Sequence, residues 1–288
     1  MEPTAARALL SKYGLAPSKE RGQNFLTDRN VAGKVVDAVA PTTDEVVVEI
    51  GPGLGAITLG LAARSRHVVA IEYDSGVARA FHGEHGDVSG LTLVEGDALD
   101  LDPTSVAARY GVPGVVIAGN LPYNLTSPIL RLIVDAGASV LRAVLMVQRE
   151  VGERLTAEPG SPDYSALTAV LLFHAEVNAL FRVGRNCFHP RPAVDSSVVR
   201  IVPRRPGNRR ADPDVFYDVV HAAFGKRRKM LRRALLDLMV DAGTTADAVA
   251  EGAGVDLARR GETLSIEEFE AIALFLAGAR EYRDQRSK

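Results

Sequence analysis

A glycine-rich turn and two acidic residues have the types and spacing of a nucleoside-binding site. The run Glu49-Ile50-Gly51-Pro52-Gly53-Leu54-Gly55 ends one apolar segment, and Glu72 ends the next, 21 residues after Gly51. Glycines let a ligand approach the backbone closely, and a carboxylate at this distance accepts hydrogen bonds from both hydroxyls of a ribose. Asp97 follows a third apolar segment, where it would either accept from an adenine amine or cap a helix. We therefore predict that Gly51, Gly53, Glu72 and Asp97 bind a nucleoside-containing cofactor; a glycine turn with a surface glutamate is the structural alternative.

The glycine spacing separates this turn from other nucleotide-binding motifs. Dinucleotide-binding dehydrogenases carry G-x-G-x-x-G, whereas this turn reads G-x-G-x-G with a proline inside. The sequence contains neither the GxxxxGK[ST] loop of P-loop nucleotidases nor the GxSxG turn of α/β-hydrolases. A nicotinamide-dependent oxidoreductase is disfavoured by this spacing, and the other two classes have no support.

A second motif, Asn120-Leu121-Pro122-Tyr123, has the groups that methylation of an adenine amine requires. The lone pair of N6 is delocalised into the ring, and two acceptors for the amine hydrogens return electron density to the nitrogen. The amide oxygen of Asn120 and the carbonyl of Leu121 can be those acceptors. Pro122 fixes the backbone, and the ring of Tyr123 offers a surface on which a base stacks. These four residues are our catalytic candidates.

Positive charge is concentrated in one part of a chain whose net charge is only −2. Residues 182–233 hold 14 Lys and Arg against 4 Asp and Glu, so the rest of the chain has a charge of −12. Six basic residues occupy positions 226–233, which we interpret as the start of a helix. Because cations at a helix N-terminus oppose its dipole, an anionic partner would relieve them. A solvated helix face is the alternative. The RNA-binding candidates are Arg191, Lys226, Arg227, Arg228, Lys229 and Arg232.

Composition defines a soluble globular protein with 288 residues, of which 47% are hydrophobic and 24% charged. The single cysteine, Cys187, excludes a disulfide framework and any multi-cysteine metal site, and the six histidines show no ligand spacing. We expect no metal. The N-terminus lacks the apolar core of a signal peptide, and no segment is suited to a bilayer, so we expect a cytoplasmic protein without membrane contact.

The elements that must position these residues alternate between buried strands and helices. Seven β-branched runs predict strands, at residues 46–50, 67–72, 91–94, 115–118, 143–147, 175–183 and 196–202. Strands that alternate with helices indicate an α/β Rossmann-like sheet, and the short link between the last two predicts that this pair is antiparallel. After residue 203 the pattern is helical. Asp212-Pro213 predicts a helix start for Val215–Phe224, and Ser265-Ile266-Glu267-Glu268 predicts a capping box. We predict two domains, 1–203 and a C-terminal helical domain at 204–288.

Six segments in this order resemble the ribosomal RNA adenine N6,N6-dimethyltransferases, specifically the small-subunit KsgA family. They are Gly22-Gln23-Asn24-Phe25-Leu26, Glu49–Gly55, Glu95-Gly96-Asp97-Ala98, Asn120–Tyr123, Phe188–Ser196 and Phe224–Leu231. The resemblance runs nearly from end to end. One departure is Ala193, where relatives usually carry lysine. This departure weakens the expectation that the loop contacts a phosphate directly at position 193, and Arg191 could partly compensate.

The resemblance implies a class I methyltransferase fold and S-adenosylmethionine as methyl donor. It implies that the cofactor contacts are at Asn24, Leu26, Gly51, Glu72, Asp97 and Asn120. The target base would lie against Asn120, Leu121 and Tyr123, with Phe188 on its other face. The implied activity is the dimethylation of two adjacent adenines in the 3'-terminal hairpin of 16S rRNA by a monomer that acts on the immature 30S subunit, with residues 204–288 docking RNA.

Three alternatives remain beside this function. A related 23S rRNA methyltransferase that confers macrolide resistance shares the chemistry, but residues 224–231 and the long helical C-terminus favour the small-subunit enzyme. A non-catalytic RNA-binding assembly or transcription factor could share the fold, although the intact Asn120–Tyr123 motif with Glu72 and Asp97 argues for catalysis. The third is the oxidoreductase that the glycine spacing disfavours.

Overall fold

The β-branched runs of the sequence form one mixed sheet in the computed structural model, which describes residues 3–18, 22–122, 125–205, 207–226 and 228–286. The strands of this sheet are β2 (Val46–Ile50), β3 (His67–Glu72), β4 (Leu91–Glu95), β5 (Val115–Asn120), β6 (Val140–Gln148), β7 (Ala175–Val183) and β9 (Ser196–Pro203). Their spatial order is β4-β3-β2-β5-β6-β9-β7. β9 is antiparallel to both β6 and β7, whereas the other neighbouring pairs are parallel. The predicted Rossmann-like sheet and its antiparallel last pair are confirmed.

A separate two-stranded ribbon joins distant parts of the chain. β1 (Phe25–Leu26) pairs antiparallel with β8 (Phe188–His189), with Phe25 opposite His189 and Leu26 opposite Phe188. The backbone N–H of Thr27 extends this contact by donating to the carbonyl of Cys187 at 2.8 Å. The sequence gives no signal for this ribbon, because each strand is only two residues long.

The chain divides into two compact units. The first comprises Met1–Glu153 and Ala175–Arg204, and the second comprises Arg154–His174 and Arg205–Lys288. The helices of the first unit are α1 (Pro3–Lys12), α2 (Arg29–Val39), α3 (Thr58–Ala62), α4 (Ser75–His85), α5 (Pro103–Tyr110) and α6 (Thr126–Ala136). α7 (Arg149–Leu155) includes the boundary between the units. In the part of the chain that the structure describes, no helix combines the length and apolarity needed to cross a bilayer.

Aspartates start three of these helices. The carboxylates of Asp28, Asp74 and Asp102 accept hydrogen bonds from backbone N–H groups in the first turns of α2, α4 and α5. Such caps satisfy donors that have no partner inside the helix, each stabilising it by about 1 kcal/mol. They also fix the position at which the chain leaves β3, since Asp74 comes two residues after Glu72.

The second unit is helical and has its own core. Its helices are α8 (Ala166–His174), α9 (Pro213–Gly225), α10 (Leu231–Ala234), α11 (Leu236–Asp241), α12 (Ala246–Ala253) and α13 (Ile266–Arg286). The ring of Phe173 stacks on Phe216 at 3.9 Å between centroids, and Phe269 lies edge-on to Phe216. The predicted domain 1–203 therefore differs from the first unit, because residues 154–174 pack into the helical core through α8.

The predicted helix signals of the second unit are present. Asp212 caps α9 by accepting from the N–H groups of Asp214 and Val215. Ser265 and Glu268 form the capping box: the Ser265 N–H donates to the Glu268 carboxylate at 2.8 Å, and the Glu268 N–H donates to the Ser265 hydroxyl at 3.2 Å. The helix that follows runs to Arg286.

The predicted basic run lies only partly in a helix: Arg232 and Arg233 lie in α10, whereas Lys226, Arg228 and Lys229 precede it. α9 ends at Gly225, with Lys226 as its C-terminal cap residue, and the next helix begins only at Leu231. The N–H of Lys229 donates to the carbonyl of Lys226 at 2.8 Å, which closes a turn between the helices. Cations after a helix C-terminus are favoured by its dipole. The dipole argument for an anionic partner therefore does not hold for Lys226.

Candidate active site

One cavity of about 350 Å³ lies at the carboxyl ends of β2, β3, β4 and β5 in the first unit. The seven residues predicted to bind the cofactor all line it: Asn24, Leu26, Gly51, Gly53, Glu72, Asp97 and Asn120. Parallel strands present their carboxyl ends at the same edge of a sheet, which explains how residues so distant in sequence come together. Contact of each residue with a cofactor stays a prediction.

Gly53 shows why the turn after β2 needs glycine. Its φ angle is +55°, a left-handed conformation that is strained for residues with a side chain. A Cβ at this position would also lie 2.9 Å from the ring of Phe25, which lines the same cavity. Glycine therefore lets the backbone at position 53 lie close to a ligand, whereas any other residue would place its Cβ against the Phe25 ring.

Glu72 is held with its carboxylate at the cavity wall. Its side chain is only 8% exposed, and Oε2 accepts from the N–H of Gly53 at 3.3 Å while Oε1 accepts from the N–H of Asp74 at 3.0 Å. Burial raises the pKa of Glu72 above its usual range, and the two backbone donors oppose that effect. A carboxylate has about four acceptor positions, so both oxygens can still accept from ligand hydroxyls.

Asp97 caps a short turn and also lines the cavity. It precedes a short 3-10 turn (Ala98–Asp100), and its Oδ1 accepts from the N–H of Leu99 at 2.9 Å. The same residue lines the cavity. Capping fixes one carboxylate oxygen and thereby orients the side chain. Contact of Asp97 with an adenine amine stays a prediction.

Glu49 is a site residue to which the sequence analysis gave no role. It lines the cavity from within β2, and only 1% of it is exposed. Burial, together with the negative charge of Glu72, raises the pKa of Glu49 to about 8. The carboxyl group is thus mainly protonated at pH 7 and can donate a hydrogen bond. A charged residue type inside an otherwise apolar strand was the signal that could have identified it.

Further lining residues also went unassigned in the sequence. Gln23 lies beside Asn24, Tyr73 follows Glu72, and Ala98 follows Asp97. Met146 contributes from β6, in register with Asn120. Proximity to a predicted ligand was the only signal for the first three, since neither their type nor their spacing marks them.

The carboxamide of Asn120 has a fixed orientation at the end of β5. Its Nδ2 donates to the backbone carbonyl of Asn24 at 3.0 Å, and no described residue donates to its oxygen, which can therefore accept a hydrogen bond. The next two residues are held as well: the Leu121 N–H donates to the Met146 carbonyl at 3.0 Å, and the Pro122 carbonyl accepts from Leu125 at 3.0 Å. Asn120 and Pro122 line the cavity, whereas the Leu121 side chain is buried. Tyr123 lies outside the described residues.

Comparison with known proteins decides the family of this chain. The sequence model of the family described as ribosomal RNA adenine dimethylase matches residues 17–272. The chain belongs to the ribosomal RNA adenine dimethylase family. It is therefore a methyltransferase, and S-adenosylmethionine is the cofactor of its fold and family.

Two relatives illustrate how much of the dimethylase chain is shared. The ribosomal RNA small subunit methyltransferase A of Anaeromyxobacter dehalogenans is 43% identical over 273 residues, which cover 92% of this chain and 95% of the relative. The protein with the same name from Moorella thermoacetica is 42% identical over 278 residues, covering 94% and 96%.

Solved structures support the fold of the dimethylase. The crystal structure of the 23S rRNA methyltransferase ErmE has a TM-score of 0.71 and 25% identity, covering 88% of this chain and 100% of that one. A dimethyladenosine transferase from Plasmodium falciparum has a TM-score of 0.74 at 23% identity, with coverage of 88% and 98%.

The cavity of the dimethylase fits S-adenosylmethionine on its own features. The glycine turn gives access to backbone at Gly53, where a Cβ would meet Phe25. A buried carboxylate at Glu72 faces the cavity, as binding of ribose hydroxyls requires. Apolar lining at Ile57 and Met146 suits a purine ring and a sulfonium-bearing side chain.

Phe188 does not line the cavity among the described residues. It lies in β8 opposite Leu26, is 5% exposed, and packs in an apolar cluster with Leu26 and Met146. The ribbon thus holds Phe188 next to two lining residues rather than in the lining itself. Its contact with a target base stays a prediction.

The predicted RNA-binding residues are exposed where the structure describes them. Arg191 lies in the loop after β8 in the first unit. In the second unit, Lys226 forms an ion pair with Asp237 at 3.3 Å, and Arg228, Lys229 and Arg232 are exposed. Arg227 lies outside the described residues. Contact of all six with RNA stays a prediction.

Proposed function

We propose that this dimethylase transfers methyl groups to N6 of two adjacent adenines in the 3'-terminal hairpin of 16S rRNA, dimethylating each during small-subunit biogenesis. The observation that carries the proposal is the Asn120 carboxamide, whose nitrogen is occupied by the Asn24 carbonyl and whose oxygen is left to accept. It lies at the edge of a cavity that fits the methyl donor.

The residues of the chain act on the target amine without a charged base, because the N6 proton leaves to water after the methyl group has been transferred and S-adenosylhomocysteine is released. Asn120 Oδ1 and the carbonyl of Leu121 accept from its N–H groups, of which there are two before the first transfer and one before the second, and this draws electron density back to N6. Pro122 restrains the carbonyl of Leu121, and Tyr123 offers its ring to the base. Asn24, Glu72 and Asp97 hold the cofactor beside this position. S-adenosylmethionine, when bound, supplies an electrophilic methyl group.

Preference for the small subunit rests on the degree of similarity. Relatives named ribosomal RNA small subunit methyltransferase A are 42–43% identical over more than nine-tenths of this chain. The 23S rRNA methyltransferase ErmE shares 25%. We therefore propose immature 30S subunits, and not 23S rRNA, as the substrate. We further propose that the enzyme is a cytoplasmic monomer.

RNA docking is assigned to the second unit together with Arg191. Exposed cations at Arg228, Lys229 and Arg232 have the chemistry that reads phosphates. This assignment extends the predicted domain 204–288 by residues 154–174, which belong to the same unit.

The proposal is tested by incubating the protein and labelled S-adenosylmethionine with 30S particles that lack the modification. RNA digested to nucleosides should then contain labelled N6,N6-dimethyladenosine from 16S rRNA. Particles that already carry both dimethyladenosines are the control and should take up no label. Label in the 23S rRNA of large subunits incubated in parallel, or only monomethyladenosine in 16S rRNA at long times, would overturn the proposal.

A further inference from the structure

Gln23 occupies a position that the proposed reaction does not use, and both ends of its carboxamide are engaged. Oε1 accepts from the backbone N–H of Ser18 at 2.8 Å, and Nε2 donates to Oδ2 of Asp74 at 3.1 Å. The backbone N–H of Gln23 returns a bond to the carbonyl of Ser18 at 3.1 Å. Gln23 is therefore anchored to the segment before it and to the start of α4.

Asp74 is a rigid anchor because its other contacts are fixed. Its Oδ1 caps α4 by accepting from Gly76 at 2.9 Å and Val77 at 3.1 Å. Its N–H donates to Oε1 of Glu72 at 3.0 Å. The side chain that holds Gln23 thus belongs to the same short segment that holds the cavity carboxylate.

The residue after Gln23 controls the orientation of Asn120. The carbonyl of Asn24 accepts from Asn120 Nδ2 at 3.0 Å, and the Asn24 side chain donates to the carbonyl of Gly22 at 3.0 Å. On the other side, Phe25 pairs with His189 in the ribbon. The Asn24 carbonyl is therefore located between two anchors, Gln23 and the β1–β8 pair.

We propose that Gln23 is a positioning residue for Asn120, acting through the carbonyl of Asn24. A carboxamide can present either its oxygen or its nitrogen to a substrate amine, and only the oxygen accepts. The Gln23–Asp74 bond keeps the Asn24 carbonyl where it selects the accepting orientation. This inference rests on the proposed function, since it assumes that Asn120 accepts from the target amine.

The direction of the Gln23–Asp74 bond allows a test by reversal. Gln23→Glu keeps an acceptor for Ser18 but places a carboxylate oxygen against Asp74. Asp74→Asn keeps the cap of α4, because asparagine caps helices as well as aspartate does. It places an NH₂ group against the NH₂ of Gln23. In the double variant the new amide at position 74 can donate to the new carboxylate at position 23, which restores the bridge with its polarity reversed.

We expect each single variant to lower kcat at least about 10-fold, since a small displacement of a catalytic group costs this much or more. The KM for RNA and the Kd for S-adenosylmethionine should change less than kcat. The double variant should recover most of the lost kcat. Asp102→Asn, the same change at the cap of α5, and Gln285→Glu in α13 are matched controls and should leave kcat unchanged.

Folded single variants with wild-type kcat would overturn the proposal, as would a folded double variant no faster than the slower single. Thermal unfolding of all variants shows whether they are folded. The wild-type reaction separates the two hypotheses: absence of N6,N6-dimethyladenosine from it contradicts the proposed function, whereas normal wild-type activity with unaffected variants contradicts only the role of Gln23.

Discussion

Replacing Glu49 by glutamine should stabilise the protein relative to the wild type, and this advantage should grow as pH rises. The carboxyl group is 1% exposed, and burial raises its pKa to about 8 from an ordinary value of 4.5. Between these two pH values the unfolded chain releases the proton of Glu49 while the folded chain keeps it. Folding then becomes less favourable with each pH unit by about 1.4 kcal/mol. Over the whole interval this loss amounts to at most about 5 kcal/mol.

Glutamine has the shape of the protonated acid but does not titrate, so the variant lacks this loss. The free energy of unfolding of Glu49→Gln, minus that of the wild type, should therefore increase from pH 5 to pH 8 and then level off. The burial of Glu72, which also raises its pKa, is present in both proteins and cancels in the difference, whereas its charge interaction with Glu49 is part of the measured effect. Urea unfolding followed by circular dichroism at each pH unit measures the effect.

Glu45 provides a control of opposite sign, immediately before the same strand. Its carboxylate forms two hydrogen bonds to Arg142 at 2.7 and 2.8 Å, and these bonds lower the pKa of Glu45. A carboxyl group whose pKa is lowered in the folded state stabilises the protein at pH values above its usual pKa. This stabilisation is lost as pH falls towards the lowered pKa. Glu45→Gln should thus reduce the acid dependence of stability. If the difference curve for Glu49→Gln is flat, or resembles that of Glu45→Gln, Glu49 is not a buried protonated acid.

The remaining predictions concern the cofactor, the amine and RNA. Glu72→Ala should weaken S-adenosylmethionine binding by roughly 1.5–3 kcal/mol, the loss of charge-assisted hydrogen bonds; unchanged affinity by calorimetry in a folded variant would exclude Glu72 from the site. Asn120→Ala should reduce turnover far more than RNA binding, with some loss of cofactor affinity, and near-normal dimethylation would contradict the mechanism. Reversing Arg227 and Arg228 to glutamate should weaken binding to 30S particles and flatten its salt dependence without altering cofactor affinity; an unchanged salt slope in the folded variant would indicate only a solvated surface.

The edge of the sheet that forms the cavity could be predicted because its signals are local. Gly51, Glu72 and Asp97 each end a β-branched run, and parallel strands must bring such ends together. Glu49 was missed for a different reason. Its burial and its neighbour Glu72 raise its pKa, and both depend on how β2 and β3 pack rather than on spacing along the chain.

Errors arose where packing between distant residues decides the structure. α8 joins the second unit because Phe173 stacks on Phe216, a contact across 43 positions that no periodicity reveals. The basic run was interpreted as helical because Leu231, Ala234 and Leu235 follow it with helical spacing, and these three are indeed buried. The spacing could not show that α9 ends at Gly225 and that α10 begins only at Leu231, so that Lys226, Arg228 and Lys229 precede the helix.

The ribbon of β1 and β8 explains why the cofactor and base residues must be considered together. Leu26, which lines the cavity, is directly opposite Phe188, and Asn24, two positions before Leu26, receives the bond from Asn120. The segment that lines the cavity thus also orients the amide that we propose as the acceptor for the target amine. A change at Asn24 affects both the cavity lining and the partner of the Asn120 amide. Its effects on cofactor affinity and on turnover are therefore coupled, and they should not add to those of a change at Asn120. In this arrangement the orientation of the Asn120 amide depends on the order of the segment that contains Asn24 and Leu26.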